Sequence, residues 1–242
     1  MPHDATIANE EDPNHIIIWL DLTIGDPEQH INLKKSFSSQ ADPKNEIPMK
    51  LFDKDEDDIL DAVGPVSVDF EGVIFLLAAF TNAELCIKCF EKNKHKRIFF
   101  IVSGSMGQVV VPIILDRFRH VFTDPVTNEP YNSIYIFCSV VANHTGWARA
   151  FRNYVQIFDF EADLLSRMVR DIADHFLEEG QKVLVEDPPK YSAAQHRLTW
   201  AHELYQRYGK MENCSIKTEL DQVNKALERV ESEMVSLMDV DN

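Results

Sequence analysis

The sequence predicts a doubly wound α/β fold built on a five-stranded parallel sheet, followed by a C-terminal pair of helices. Three observations predict it: five short apolar runs, helical patterns between successive runs, and a composition with 45% hydrophobic and 26% charged residues in a chain of 242, which is ordinary for a globular protein. A run that is apolar at every position is how a strand covered on both faces of a parallel sheet reads. Runs alternating with helices are the signature of the wound α/β plan.

Taken in order, residues 1–14 are polar and acidic and are expected to form a flexible arm. The first run is Ile16, Ile17, Ile18, Trp19 and Leu20, ending at Asp21, and residues 31–37 supply a helical pattern after it. Residues 38–71 are too long for a simple connection. They contain Pro43, Pro48 and Pro65 and the acids Asp53, Asp55, Glu56, Asp57 and Asp58, so an inserted surface loop is expected. Runs at 73–80, 98–102, 134–137 and 155–158 complete the sheet, with helices expected over 83–91, 109–119 and 145–151. A shorter insertion at 123–131, with Pro125, Asn128 and Pro130, precedes the fourth run. Leu164, Leu165, Met168, Val169, Ile172, Phe176 and Leu177 mark one face of a long helix expected to stop at Gly180. The α/β domain thus spans 15–180. Residues 181–190, with Pro188 and Pro189, are expected to be a linker, and 191–238 two helices separated at Gly209.

Lys and Arg number 24 against 40 Asp and Glu, a formal charge of -16 with a pI near 4.9. So acidic a protein is a poor match for nucleic acid or an anionic membrane, which both require excess cations. No apolar stretch approaches the roughly 20 residues of a membrane span, and the first residues lack a secretion signal. A cytoplasmic location follows, with Cys86, Cys89, Cys138 and Cys214 as reduced thiols.

The segments IIIWLDLTI, FTNAELCIKCFE, IFFIVSGSMGQVVVPII, SIYIFC and VQIFDFEADLL, above all the IWLD strand end and the SGS-x-GQ turn, resemble a receiver-like amino-terminal module of bdelloid rotifer multidomain proteins. The resemblance covers about residues 15–180 apart from the two insertions. It implies a flavodoxin-like, receiver-like fold, with no established activity attached. More broadly the chain resembles response-regulator receivers, which need acids after the first strand, a carboxylate nucleophile after the third, a hydroxyl after the fourth and a lysine after the fifth. Here Asp21 is followed by Leu22, the nucleophile position falls in Ser103-Gly104-Ser105, Cys138-Ser139 follows the fourth run, and Phe158-Asp159 follows the fifth with no lysine. The resemblance therefore implies a receiver without its phosphoacceptor set.

The candidate ligand-binding residues lie at the carboxyl ends of the strands: Asp21, Ser103, Gly104, Ser105, Gly107, Gln108 and Ser139. Small residues between a strand and a helix let an anion approach free N–H groups, although a tight turn with an N-cap serine explains the same residues. No Lys, Arg or His is read as converging on them. Asp53 to Asp58 mimic the start of an EF-hand loop but lack its glycine and its closing glutamate, so no metal site is expected. Cys86 and Cys89 fall within a helical pattern and are expected to face the core. Ile216, Leu220, Val223, Leu227, Val230, Met234 and Leu237 step by four and three, a coiled-coil seam. Leu220, Val223, Leu227, Val230 and Met234 are the candidates for homodimer contact. The alternative is a hairpin against Leu198, Ala201, Leu204, Tyr205 and Tyr208.

The expected function is a non-catalytic signalling or protein-interaction module without a cofactor, whose partners carry basic patches. The competing class is an enzyme or sensor that binds a nucleotide or phosphate at the strand ends.

Overall fold

A computed structural model describes residues 14–26, 28–36, 66–70 and 73–240. The strands are β1 (His15–Leu20), β2 (Val66–Phe70), β3 (Val73–Phe80), β4 (Arg97–Ser103), β5 (Ile134–Phe137) and β6 (Val155–Phe158). The α-helices are α1 (Ile31–Ser36), α2 (Ala83–Asn93), α3 (Gly104–Phe118), α4 (Thr145–Ala148), α5 (Glu161–Leu184), α6 (Tyr191–Glu212) and α7 (Lys217–Val240).

The five expected strands form one parallel sheet in the order β3-β1-β4-β5-β6, the flavodoxin-like order. One addition corrects the expected loop over 38–71: residues 66–70 pair antiparallel with β3 as a sixth, edge strand. Their sequence VSVDF alternates apolar and polar residues, as an edge strand does, but it follows directly on the proline-bearing stretch. Residues 37–65, including Asp53 to Asp58, and residues 1–13 of the expected arm lie outside the described residues.

Alternation along β1 divides the core. Ile16, Ile18 and Leu20 join a cluster with the buried residues of α2 and α3, among them Cys86, Cys89 and Phe90. Ile17 and Trp19 join a second cluster on the opposite face, against Leu164, Met168, Ile172 and Phe176 of α5. Cys86 and Cys89 are free thiols turned into the first cluster, and burial pushes Cys89 up to about 11.

The C-terminal segments correct the expected boundaries. Helix α5 passes through Gly180 and ends at Leu184, so the expected linker at 181–190 reduces to 185–190. Gly180 is a contact residue, because a Cβ there would stand 2.8 Å from Leu198 Cγ of α6. Helix α6 likewise runs through Gly209, where a Cβ would meet Ile216 Cγ1 at 2.9 Å, and ends at Glu212, capped by left-handed Asn213 with φ 47°. Leu198, Ala201, Leu204 and Tyr205 of α6, with Val223 and Val230 of α7, are buried in the same cluster as Ile17 and Trp19. Leu220, Leu227 and Met234 pack against it, so the heptad seam is filled by its own chain as a helical hairpin. The side chain of Leu237 lies outside the described residues. Among the described residues, no helix is long and apolar enough to cross a membrane.

Candidate functional site at the carboxyl edge

The chain leaves β1 for β3 on one side and returns across it to β4 on the other, so the switch point lies between β1 and β4. Register pairs Leu20 with Val102, which brings Asp21 and Ser103 out of neighbouring strands at one level. Ser103 pairs with Phe137, so Cys138 and Ser139 leave β5 just beyond it. By alternation Asp21 follows Ile17 and Trp19, and Ser103 follows Phe99 and Ile101, onto the same face of the sheet.

Asp21 continues the alternation of Ile17 and Trp19 and turns toward α5. Its Oδ1 accepts the Thr23 backbone N–H at 2.7 Å and the Thr23 hydroxyl at 2.8 Å, closing an Asx turn. Its Oδ2 lies 3.3 Å from His30 Nε2, and the other ring nitrogen, Nδ1, lies 3.8 Å from Glu161 Oε1. Glu161 Oε2 accepts the N–H of Asn32, which opens α1 onto the first turn of α5. The Lys34 ammonium turns inward and donates to the Asp26 carbonyl at 2.5 Å. Burial lowers the Lys34 pKa while Asp26, Asp21 and Glu161 oppose it. Burial also raises Asp21, but bonds from His30 and Thr23 outweigh it and hold the carboxyl below the ordinary aspartate value.

His30 is the pivot of this cluster. Its backbone is left-handed, with φ 56°, which costs a non-glycine residue about 1 kcal/mol. The ring is fixed edge-on to Trp19 and Phe137, with centroids 5.3 and 5.7 Å away. Only 8% of the side chain is exposed. Two carboxylates on opposite ring nitrogens make the imidazole a clamp that ties the β1 loop to the start of α5.

The serine segment differs from its expected form. There is no turn: β4 passes directly into α3, and Gly104 to Gln108 are helical. Ser103 occupies the N-cap but its hydroxyl makes no capping bond. A Cβ on Gly104 would fall 2.5 Å from His144 Nε2, so glycine admits that ring. His144 Nδ1 accepts from Trp147 Nε1 at 3.3 Å, and Trp147 closes over Gly107. Ser105, Gln108 and Ser139 are exposed.

The structure thus corrects the expectation that no basic group converges here: His30 and Lys34 stand beside Asp21, and His144 beside Gly104. Sequence reading missed them because Asn32 and Glu161, which close the clamp, are 129 residues apart. The spacing Asp21-x-Thr23 was a local signal for the Asx turn, and nothing comparable marks His30.

Fold and site together define a flavodoxin-like α/β protein whose switch-point carboxylate is engaged by its own chain. Comparison with protein-family models, with curated proteins and with solved structures finds no match.

Proposed function

We propose that this chain is a non-catalytic, receiver-like interaction module that docks a protein partner at the carboxyl edge of its parallel sheet. The observation that carries this reading is the character of that edge. Asp21, which a receiver or a ligand site would present, is buried and committed to Thr23 and His30. Exposed instead are Leu22, Val140 and Phe160, on the loops after β1, β5 and β6. Apolar side chains gathered at one edge are characteristic of contact surfaces. In the receiver pattern the nucleophile position falls in Ser103-Gly104-Ser105, and Asp159 follows β6 where a lysine is required.

The test is a photo-crosslinking amino acid placed at Phe160 and, separately, at Val126, a still more open position in the turn before β5 at the other end of the sheet. A discrete protein adduct from position 160 and none from 126 is expected in native extract. Equal labelling from both positions overturns the reading.

One observation favours a second reading, a small anion or nucleotide phosphate at the start of α3. His144 stands against Gly104 where the helix presents free N–H groups, beside the exposed Ser105 hydroxyl. Under that reading ATP, ADP or inorganic phosphate raises the melting temperature, and a His144→Ala variant loses the shift.

A further inference from the structure

Around the His30 clamp the usual distribution of side chains is inverted. Asp21, His30 and Glu161 turn inward, while the chain neighbour of each turns out: Leu22 is 65% exposed, Ile31 39% and Phe160 65%. Leu22 lies between Asp21 and Thr23, Ile31 between His30 and Asn32, and Phe160 immediately before Glu161. The bonds that gather the polar groups therefore bring the backbone at these three apolar residues around one centre, each one residue from a member of the clamp. Buried polar groups beneath exposed apolar ones are the reverse of what water alone favours. The same three segments carry four exposed acids, Asp26, Glu28, Asp159 and Asp163, whereas the Lys34 ammonium points inward.

We infer that this patch docks a partner segment that combines apolar and basic residues, such as one face of an amphipathic helix bearing Lys or Arg beside Leu or Phe. This rests on the interaction-module reading and adds the chemistry of the partner. Apolar side chains of the segment cover Leu22, Ile31 and Phe160, and its cations meet the acids around them. The formal charge of -16 steers a basic segment toward the surface. The His30 clamp holds the three contact residues in place before binding, which reduces the entropy lost on association.

The experiment uses the full chain and two labelled amphipathic peptides of about five helical turns, with identical leucine faces and either lysine or glutamate on the other face. Binding is read by fluorescence anisotropy at physiological salt. The lysine peptide is expected to bind and the glutamate peptide not to. Leu22→Ser with Phe160→Ser, which leaves the net charge unchanged, weakens binding about tenfold or more. Val109→Ser with Val126→Ser, removing exposed apolar residues elsewhere, changes it less than about twofold. Thermal melts verify that both variants are folded.

Undiminished binding by the first variant overturns the inference, since charge alone then holds the peptide. Equal binding of the glutamate peptide overturns it too, as does a wild-type dimer in sedimentation that the first variant abolishes. An adduct at position 160 in the crosslinking experiment, with no affinity for the lysine peptide, leaves the interaction module standing and rejects this partner chemistry. Loss of both results rejects both.

Discussion

At the carboxyl edge of the sheet Asp21 and Glu161 flank one imidazole, and their apolar neighbours face water. Toward the other end, between the same face of the sheet and the middle of α5, charges are placed quite differently. The Arg97 guanidinium stacks 3.4 Å from the Tyr131 ring centroid and 5.2 Å from that of Phe99, and donates to the Val121 carbonyl at 3.4 Å. Asp171 accepts from Tyr135 Oη at 2.8 Å, from Gln156 Nε2 at 3.2 Å and from Arg167. The His175 ring lies among Phe99, Phe176 and His15, and its Nε2 is buried without a hydrogen-bond partner. Burial governs here: it raises Asp171 and Glu178, lowers Arg97 to about 10 and drives His175 well below its ordinary value. At the carboxyl edge hydrogen bonds from His30 and Thr23 prevail over burial, and Asp21 is lowered. One end of the sheet is therefore an interior with polar members, the other a surface with a polar frame beneath it.

The largest effect expected from this difference is at Asp171. Asp171→Ala strands the hydroxyl of fully buried Tyr135, together with Gln156 and Arg167, and should cost about 3 kcal/mol. Urea unfolding measures it, with the slope unchanged. His30→Ala, at the carboxyl edge, should cost less, about 1–2 kcal/mol. It removes a partner from Asp21, but Thr23 still satisfies one carboxylate oxygen and the left-handed backbone strain is not increased. A His30→Ala loss exceeding that of Asp171→Ala would erase the distinction between the two ends.

How much of this was legible depends on whether the signal is local. The inner strands could be read because they are covered on both faces and so are apolar almost throughout, and β6 at the edge breaks the run only at Gln156; β2, whose VSVDF alternates, was absorbed into the preceding loop. Gly180 and Gly209 were misread as helix ends. A glycine that stops a helix and a glycine that lets Leu198 or Ile216 approach look identical in one sequence. The heptad seam of α7 was legible, yet its period fits a partner helix in its own chain as well as one in another. At the carboxyl edge Asp21 and the Ser103 to Gly107 segment were found because strand ends are predictable. His30, Glu161, Lys34 and His144 were not, because tertiary packing alone brings them there.

A pH comparison at the interior end comes next in size. The folded protein keeps His175 neutral below the ordinary histidine value of 6.5, whereas the unfolded chain takes up a proton there. Stability carried by this group is present above about pH 6.5 and is lost as pH falls toward its lowered folded value. His175→Leu removes a ring nitrogen that has no partner, so the variant should lose about 1–2 kcal/mol less than the wild type between pH 7 and 5. Thermal or urea unfolding at the two pH values decides it. Parallel losses in the two proteins would show that His175 is solvated and that burial does not govern this end.

The smallest and sharpest contrast sets Asp21 against Asp171, two aspartates of one protein with opposite shifts. Asp21 is lowered in the folded state, so its contribution is present above the ordinary value of 3.8 and is lost as pH falls through its folded value. Asp171 is raised, so its folded form binds the proton more readily, and its contribution declines as pH rises from 3.8 through the raised value. Relative to Asp21→Asn the wild type should therefore gain stability as pH rises across the carboxylate range. Relative to Asp171→Asn it should lose some, each change being about 1 kcal/mol or less. Slopes of the same sign would mean that the His30 and Thr23 bonds do not outweigh burial at Asp21. The carboxyl edge would then be a second interior, without the hydrogen-bonded frame that holds Leu22, Ile31 and Phe160 toward solvent.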